Sequence, residues 1–282
     1  MNDTLLMKII DAHQHFWKYN NTDFEWITDE MSVIRKDFLP GDLYPILQKN
    51  NVEGCVSVQV NQTEKENAFF LNFAERFHFI RGVVGWVDLM ADDLEERLAY
   101  FHQYNKLKGF RHILQGEKDR ALMLQPSFKN GISLLKKVDF TYDILIFPDQ
   151  LQFALELVLS FPDQKFVIDH LAKPYIKSGQ LEEWKKDIRR FKNCQNAYCK
   201  ISGMVTEADW NHHPSDTLKP YIDVAAETFG TKRLMFGSDW PVCLVADSYS
   251  KILSIVKDYF SSFSLNEQED VFSNNAIEFY GL

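Results

Sequence analysis

Residues 9–17 read IIDAHQHFW, a short apolar run that is followed at once by two histidines. A short apolar run of this kind is typical of a β-strand. His13 and His15 stand two positions apart, so on a strand both imidazoles point to the same side. Two adjacent imidazoles suit one divalent metal ion, or they can polarise a carbonyl group together.

Similar apolar runs recur along the chain and alternate with helix-like segments. Eight candidate strands lie at residues 7–13, 54–60, 79–87, 107–113, 140–147, 165–170, 197–202 and 233–238. Apolar residues at three- and four-residue spacing predict intervening helices, for example at 66–77, 92–104, 151–161 and 181–191. Alternating strands and helices imply a parallel sheet. Eight such units predict an α/β fold with one (β/α)8 TIM barrel domain over residues 1–282.

Polar residues gather near the C-terminal ends of several predicted strands. In the second strand Ser57 and Gln59 share one face, and in the seventh Lys200 and Ser202 oppose Ile201. In a barrel the C-terminal strand ends form the mouth, where active sites are built. We therefore expect the functional site at this mouth.

Two further strands end in side chains that can carry chemistry. His170 ends KFVIDH (165–170), and Asp239 follows the eighth strand in RLMFGSDWPV (233–242). A carboxylate beside imidazoles can take a proton from water and deliver it to a leaving group. Helix capping or a turn is the alternative use of such an aspartate.

The fourth predicted strand ends in LKGFRHI (107–113), where Arg111 and His112 are adjacent. The guanidinium of an arginine suits a substrate carboxylate or a cluster of hydroxyl groups. Strand alternation lets only one of these two side chains face inwards, and the sequence leaves open which one.

The composition argues against several classes of function. A net charge of -9 lacks the basic footprint that nucleic acid binding requires. No stretch approaches the roughly 20 apolar residues that span a bilayer, and the N-terminal stretch lacks the basic region of a signal peptide. We therefore expect no nucleic acid partner, no membrane association and a cytoplasmic location. The four cysteines form no CxxC pair and are expected to be buried or half-buried thiols.

An HxH after strand one, a His after strand six and an Asp after strand eight resemble the amidohydrolase superfamily. The sequence is similar, more narrowly, to its branch of sugar-acid lactonases. The matching strings are DAHQHFW, GWVDL, KGFRH, IDHLAKP, KISGM, FGSDWPV and NNAIEFYGL, in this order over nearly the whole chain. The resemblance implies hydrolysis of a small lactone, such as L-fuconolactone or L-rhamnonolactone, to its hydroxy acid.

The resemblance also implies roles by position. Asp239 would be the general base that activates water and then protonates the leaving alkoxide. His170 would polarise the ester carbonyl or hold the developing oxyanion. His13, His15 and Asp239, with His170 as a fourth candidate, would bind one divalent metal ion such as Zn²⁺. The branch includes metal-dependent and metal-independent members, so the metal requirement stays open.

Substrate contacts are implied for Arg111 and His112, which would hold substrate oxygens. Trp240 is among the side chains expected to determine substrate choice. A second metal ion is not expected, because the fifth strand ends DILIFPDQ without a histidine and the nearest carboxylate after the fourth is Glu117.

Two other functions compete with lactone hydrolysis. One is non-oxidative decarboxylation of an unsaturated acid on the same scaffold, and the other is sugar-acid binding without catalysis. The sequence leaves open which lactone is used and what the oligomeric state is.

Overall fold

The computed structural model describes residues 7–282, and within them eight parallel strands pair in sequential order. The strands are β1 (Ile10–Gln14), β2 (Gly54–Val58), β3 (Ile80–Gly85), β4 (Leu107–His112), β5 (Thr141–Ile144), β6 (Phe166–Ile168), β7 (Ala197–Ile201) and β8 (Leu234–Phe236). A parallel bridge between Gln14 and Trp240 joins the two edges of the sheet. The predicted (β/α)8 barrel is confirmed. Residues 1–6, on which part of the signal-peptide argument rests, lie outside the described residues.

Helices follow every strand and form the outer layer of the barrel. They are α1 (Pro40–Lys49), α2 (Glu64–Arg76), α3 (Leu94–His102), α4 (Pro126–Lys137), α5 (Leu151–Ser160), α6 (Glu182–Ile188), α7 (Met204–Glu207), α8 (Ser215–Phe229), α9 (Tyr249–Phe260), α10 (Leu265–Glu269) and α11 (Asn275–Tyr280). Within residues 7–282, none of these helices is both long and apolar enough to cross a membrane.

Local sequence explains where the helices begin and which side they bury. The Ser248 hydroxyl accepts from the backbone N–H of Lys251, which caps the start of α9. Ile252, Leu253 and Val256 are buried on one side of that helix, at the spacing of an amphipathic helix. The strands are buried on both faces, as expected for a parallel sheet enclosed by helices.

An apolar cluster fills the barrel interior away from the mouth, and α11 contributes to it. Its buried members are Ile10, Ala12, Val56, Val58, Val84, Val167, Met235, Ala276, Phe279 and Tyr280. The expectation that Ser57 faces the site is therefore wrong, because its neighbours Val56 and Val58 point inwards. Alternation shows which residues share a face, but it does not show which face turns inwards.

Five strands end at least two residues before the predicted boundary, and three of these bear on the site; β2 ends at Val58 and β3 at Gly85, each two residues early. β5 ends at Ile144, β6 at Ile168 and β8 at Phe236, several residues earlier than predicted for β5 and two residues earlier for β6 and β8. His170 and Asp239 consequently lie in the loops just beyond their strands. The prediction that the four cysteines are buried thiols is confirmed.

Candidate active site

The two histidines of the HxH pair meet at the barrel mouth. The Nε2 atoms of His13 and His15 lie 3.2 Å apart. The pairing of β1 with β2 shifts register between Asp11 and Gln14. Such an irregularity changes the direction in which the side chains of this segment point. Nδ1 of His15 lies 2.8 Å from the carbonyl oxygen of Val58. Because a carbonyl can only accept a hydrogen bond, Nδ1 of His15 carries a proton and its Nε2 faces the site.

Asp239 lies directly beside this pair. Its backbone N–H donates to the carbonyl of His13 at 2.8 Å, so the β8 loop is fixed to β1. Its Oδ1 lies 3.2 Å from Nε2 of His15 and 3.9 Å from Nε2 of His13. Asp239 has a φ of 58°, a left-handed conformation that is unfavourable for a residue with a side chain. Such strain is found where the surrounding structure fixes a functional side chain.

His170 reaches the same point from β6 through an unusual turn. All residues from 170 to 173 have left-handed φ values between 51° and 58°. Nε2 of His170 lies 3.9 Å from Oδ1 of Asp239, and its Nδ1 lies 2.8 Å from the hydroxyl of Ser202. Gly203 makes this approach feasible, since a Cβ atom there would lie 2.7 Å from Nδ1 of His170. Three imidazoles therefore surround one carboxylate.

A buried network of charges lies next to the three imidazoles. Nη1 of Arg111 donates to Oδ2 of Asp169 at 2.9 Å, and Nζ of Lys200 lies 2.9 Å from Oδ1 of the same carboxylate. Lys200 also donates to Asp143 at 2.5 Å, and the hydroxyl of Tyr280 donates to that aspartate at 2.8 Å. These groups are nearly or fully buried, so each charge depends on its partners for stabilisation.

Burial and neighbouring charges shift the pKa values of these carboxyl groups in different directions. Burial raises the pKa of Asp143 to about 6, against the effect of the Lys200 ammonium. Burial alone would raise the pKa of Asp169, but Lys200, His13 and Arg111 hold it well below its usual value. For Asp239 the effect of burial is likewise overcome, chiefly by His170 and His15, and its pKa lies below the ordinary value. Asp169 and Asp239 are therefore ionised at neutral pH.

The imidazoles respond to the same burial in the opposite sense. Burial lowers the pKa of His170 to about 4. Burial also lowers the pKa of His13 well below its usual value, although Asp169 acts against this shift. Both rings are therefore neutral at neutral pH, and each offers one lone pair and one N–H.

Five of the sequence-predicted site residues come together at the mouth. They are His13, His15, His170, Asp239 and Arg111. His112 does not join them, because Arg111 takes the inward position on β4. Nε2 of His112 lies 2.8 Å from Oε1 of Glu117, and its ring packs edge-on against Phe128 of α4.

Trp240 packs into the core next to the site. Its side chain is 1% exposed and packs edge-on against Phe16 and Phe38. Its contacts therefore connect the β8 loop to the segment after β1.

Sequence reasoning did not assign roles to Asp169, Lys200, Asp143 or Tyr280. Lys200 was detectable as a polar residue opposite Ile201 on β7. Asp169 gave no signal of its own, because strand alternation places its side chain on the face opposite to that of His170. The left-handed turn, which brings both side chains to the site, leaves no such signal in the sequence.

The donor set at the mouth fits one divalent metal ion. His13, His170 and Asp239 can each offer a ligand atom, and these atoms lie within 4.8 Å of one another. His15 and Asp239 approach at 3.2 Å, so the HxH pair with Asp239 is a second candidate set. Imidazole nitrogens and a carboxylate oxygen are ligands that zinc accepts in catalytic sites.

The barrel and its cluster of three histidines and one aspartate define a metal-capable site of the amidohydrolase type. Residues 10–282 match the family described as Amidohydrolase, and the chain belongs to this family.

Two curated relatives are similar to this chain over nearly their whole length. A protein of Burkholderia multivorans named L-fucono-1,5-lactonase is 37% identical, with 97% of this chain and 96% of the relative covered. A protein of Burkholderia ambifaria with the same name is 35% identical, covering 96% and 94%. A crystal structure of a Burkholderia multivorans amidohydrolase with bound zinc is also similar. It superimposes with a TM-score of 0.94 at 37% identity, covering 97% of this chain and 99% of that one.

Proposed function

We propose that this protein is a hydrolase that opens a small sugar-acid lactone to its hydroxy acid, with L-fucono-1,5-lactone as the first candidate. The observation that carries the proposal is the ionised carboxylate of Asp239 among three imidazoles at the mouth of the barrel. Two relatives at 35–37% identity, both named L-fucono-1,5-lactonase, support the substrate class.

Asp239 acts as the general base in this proposal. Its carboxylate is ionised and accepts a proton from a water molecule that attacks the lactone carbonyl carbon. The ring C–O bond then breaks, and Asp239 returns the proton to the leaving alkoxide. The products are a free hydroxyl group and a carboxylic acid, which releases one proton to solvent and becomes a carboxylate, and Asp239 ends the cycle ionised.

His170 stabilises the negative charge that develops on the carbonyl oxygen. Its ring is neutral, so the hydroxyl of Ser202 can donate to Nδ1 while Nε2 carries a proton that points into the site. A fixed N–H donor aimed at a developing oxyanion contributes to the rate because it needs no reorganisation during the reaction.

Arg111 is the side chain that we assign to substrate binding. It lies 3.3 Å from Nε2 of His13, so it borders the cluster, whereas His112 and Trp240 contact the surrounding layers. A bound zinc ion would be held by the HxH pair with Asp239, which leaves the Nε2–H of His170 directed at the substrate. Such an ion would polarise the lactone carbonyl and lower the pKa of water. We propose one such ion at most per chain.

A pH-indicator assay of acid release tests the function. The purified protein is offered L-fucono-1,5-lactone, L-rhamnonolactone and their D-series counterparts, with and without chelator. Rapid hydrolysis of one stereochemical class supports the proposal, and the chelator arm shows whether that activity needs a metal ion. Absence of acid release from every sugar lactone, together with carbon dioxide release from unsaturated acids, would replace it with the decarboxylase function.

The remaining expectations about partners stay predictions. We propose a cytoplasmic enzyme that acts on a small molecule and has no nucleic acid partner. The acidic net charge of -9 supports the last point.

A further inference from the structure

A cavity lies at the barrel mouth between the segment after β1 and the loop after β2. Its volume is about 580 Å³, within the range of pockets that bind small molecules. Trp17, Phe24 and Phe69 contribute apolar walls, and Asn61 and Glu66 contribute polar groups. Aromatic surface with a few hydrogen-bonding groups suits the C–H faces and the hydroxyl groups of a sugar ring.

Glu66 lines this cavity and keeps one carboxylate oxygen free. The residue is 8% exposed, and its Oε2 accepts from the backbone N–H groups of Val60 at 2.7 Å and Asn61 at 2.9 Å. Its Oε1 makes no hydrogen bond or ion pair within residues 7–282, and this oxygen is not sealed off from the cavity. A hydroxyl group of a ligand can therefore donate to Oε1, and hydrogen bonds to an ionised group are stronger than those between neutral groups.

One short segment of chain connects the cavity to the catalytic cluster. The carbonyl of Val58 binds the imidazole of His15, and the N–H of Val60 binds Glu66. The N–H of Gln59, between them, donates to β3 instead, as strand alternation requires. Two residues of extended chain span at most about 7 Å. The attachment points of His15 and Glu66 therefore lie on the same edge of the segment, at a separation that a substituted sugar ring can bridge.

The charges around the cavity favour a neutral ligand. Glu66 is buried, whereas the side chains of Lys18, Asp23 and Lys65 are exposed to solvent at its edge. A carboxyl group accepts from hydroxyl groups and, when ionised, repels an anion. An aldonolactone is neutral and carries several hydroxyl groups, but its hydrolysis product is an anion. The cavity therefore suits the lactone better than the hydroxy acid.

We propose that this cavity is the subsite for the hydroxyl-bearing part of the lactone, and that Glu66 is a specificity-determining residue that accepts from a ring hydroxyl. The inference rests on the proposed function, since the ester end of the same molecule would lie at Asp239 and His170. A site built to bind a hydroxyl group rejects an analogue that lacks it, because the buried acceptor is then left without a partner. Glu66 thus selects hydroxylated lactones over plain cyclic esters.

Binding of L-fucose tests the subsite without any reaction. This sugar has the ring hydroxyl groups of L-fucono-1,5-lactone but no ester group, so it can bind whether or not the protein is a hydrolase. Isothermal titration calorimetry should show an affinity that falls roughly tenfold in Glu66→Gln, because the amide presents an NH₂ group where Oε1 stood. Glu64→Gln is the matched control, since Glu64 lies on the same helix turn but pairs with Arg97 outside this cavity. Absence of binding to the unaltered protein, or equal affinities for it and Glu66→Gln, overturns the proposal.

Kinetics on two lactones separates a specificity role from a structural one. Glu66→Gln should raise KM for the hydroxylated lactone roughly tenfold with little change in kcat, as expected for loss of uniform binding. It should leave kcat/KM for δ-valerolactone, which has no ring hydroxyl group, unchanged. A general loss of structure would instead lower kcat/KM for both lactones equally, and that result contradicts the proposal.

Asn61→Ala provides a second variant if Glu66→Gln fails to fold. The Asn61 side chain is half-buried at the cavity wall, and its removal keeps the backbone N–H that binds Glu66. We expect the same selective rise in KM for the hydroxylated lactone and the same weaker binding of L-fucose. If the unaltered protein hydrolyses neither lactone, the proposed function is wrong, and the L-fucose titration alone decides whether the subsite exists.

Discussion

Arg111 and Asp169 form an ion pair of 2.9 Å although both side chains are almost fully buried. The pair connects β4 to the loop after β6, beneath the imidazole cluster. A buried ion pair contributes little net stability over an apolar pair, but loss of one partner leaves a buried charge behind. The pair should therefore be sensitive to single substitutions on either side.

Arg111→Met tests that sensitivity. We expect the free energy of unfolding to fall by about 3 kcal/mol, because Asp169 would lose one of its two buried cations. Urea unfolding followed by circular dichroism measures the change. His112→Gln is the matched control, since His112 is adjacent on β4 but makes one hydrogen bond to Glu117, and its loss should cost about 1 kcal/mol. Equal losses for the two variants would contradict the inward placement of Arg111.

Asp239→Asn tests the assignment of the general base. We expect kcat for lactone hydrolysis to fall roughly 10²- to 10⁴-fold, because asparagine cannot accept the proton from water. Steady-state kinetics on the best lactone gives the value. Asp258→Asn, at an exposed position on α9, should leave kcat unchanged. An active Asp239→Asn enzyme would require another residue to be the base.

The number of zinc ions bound per chain tests whether the site at the barrel mouth holds one metal ion. We expect metal-free protein to bind at most one zinc ion, because every candidate ligand set in residues 7–282 includes His13 and the single carboxylate of Asp239. Competition with a chromophoric chelator reports the number of ions and the affinity. The affinity should weaken at least roughly tenfold in Asp239→Asn and stay constant in His78→Gln, at an exposed position. Two tightly bound ions would mean that a second ligand set exists.

Glu66 makes the stability of the protein depend on pH. Its side chain is 8% exposed and accepts from the backbone N–H groups of Val60 and Asn61. Burial raises the pKa of Glu66 to about 7, although these hydrogen bonds act against the shift. The folded protein therefore holds this proton more tightly than the unfolded chain does. The resulting stabilisation is complete below about pH 4.5 and is lost as the pH rises through 7.

Glu66→Gln removes this ionisation while keeping an acceptor oxygen for the two N–H groups. In the unaltered protein, ionisation of Glu66 should lower the free energy of unfolding by roughly 3 kcal/mol between about pH 4.5 and 7.5. We expect this decrease to be absent from the variant. Urea unfolding at a series of pH values measures the two slopes. Glu96→Gln, at an exposed position on α3, is the control and should keep the slope of the unaltered protein. Parallel curves for all three proteins would contradict the raised pKa.

Much of the fold was predictable because its signals are local. Eight apolar runs alternate with segments of helical periodicity. Because the strands are buried on both faces, their sequences are continuously apolar and differ from the amphipathic helices. His13, His15, His170 and Asp239 were predictable as site residues because each lies at or just beyond the C-terminal end of a strand, and these ends of a parallel barrel meet at one mouth.

The remainder depends on tertiary geometry that no local pattern carries. The choice of Arg111 over His112 depends on the register of β4 against β5. Lys200 and Asp143 pair at 2.5 Å although 57 positions separate them in sequence, so their pairing follows from the placement of β5 and β7 on either side of β6. His170 and Asp169 both reach the site only because the backbone after β6 turns left-handed.

The bond from the Asp239 backbone to the His13 carbonyl has a consequence for the order of folding. These two residues belong to the loop after β8 and to β1, so they meet only across the seam where the barrel closes. A chain that has formed the seven other strand pairs but not this seam has nearly complete secondary structure and no assembled site. During refolding, activity should therefore return with the last closing step, after most of the helical signal has recovered.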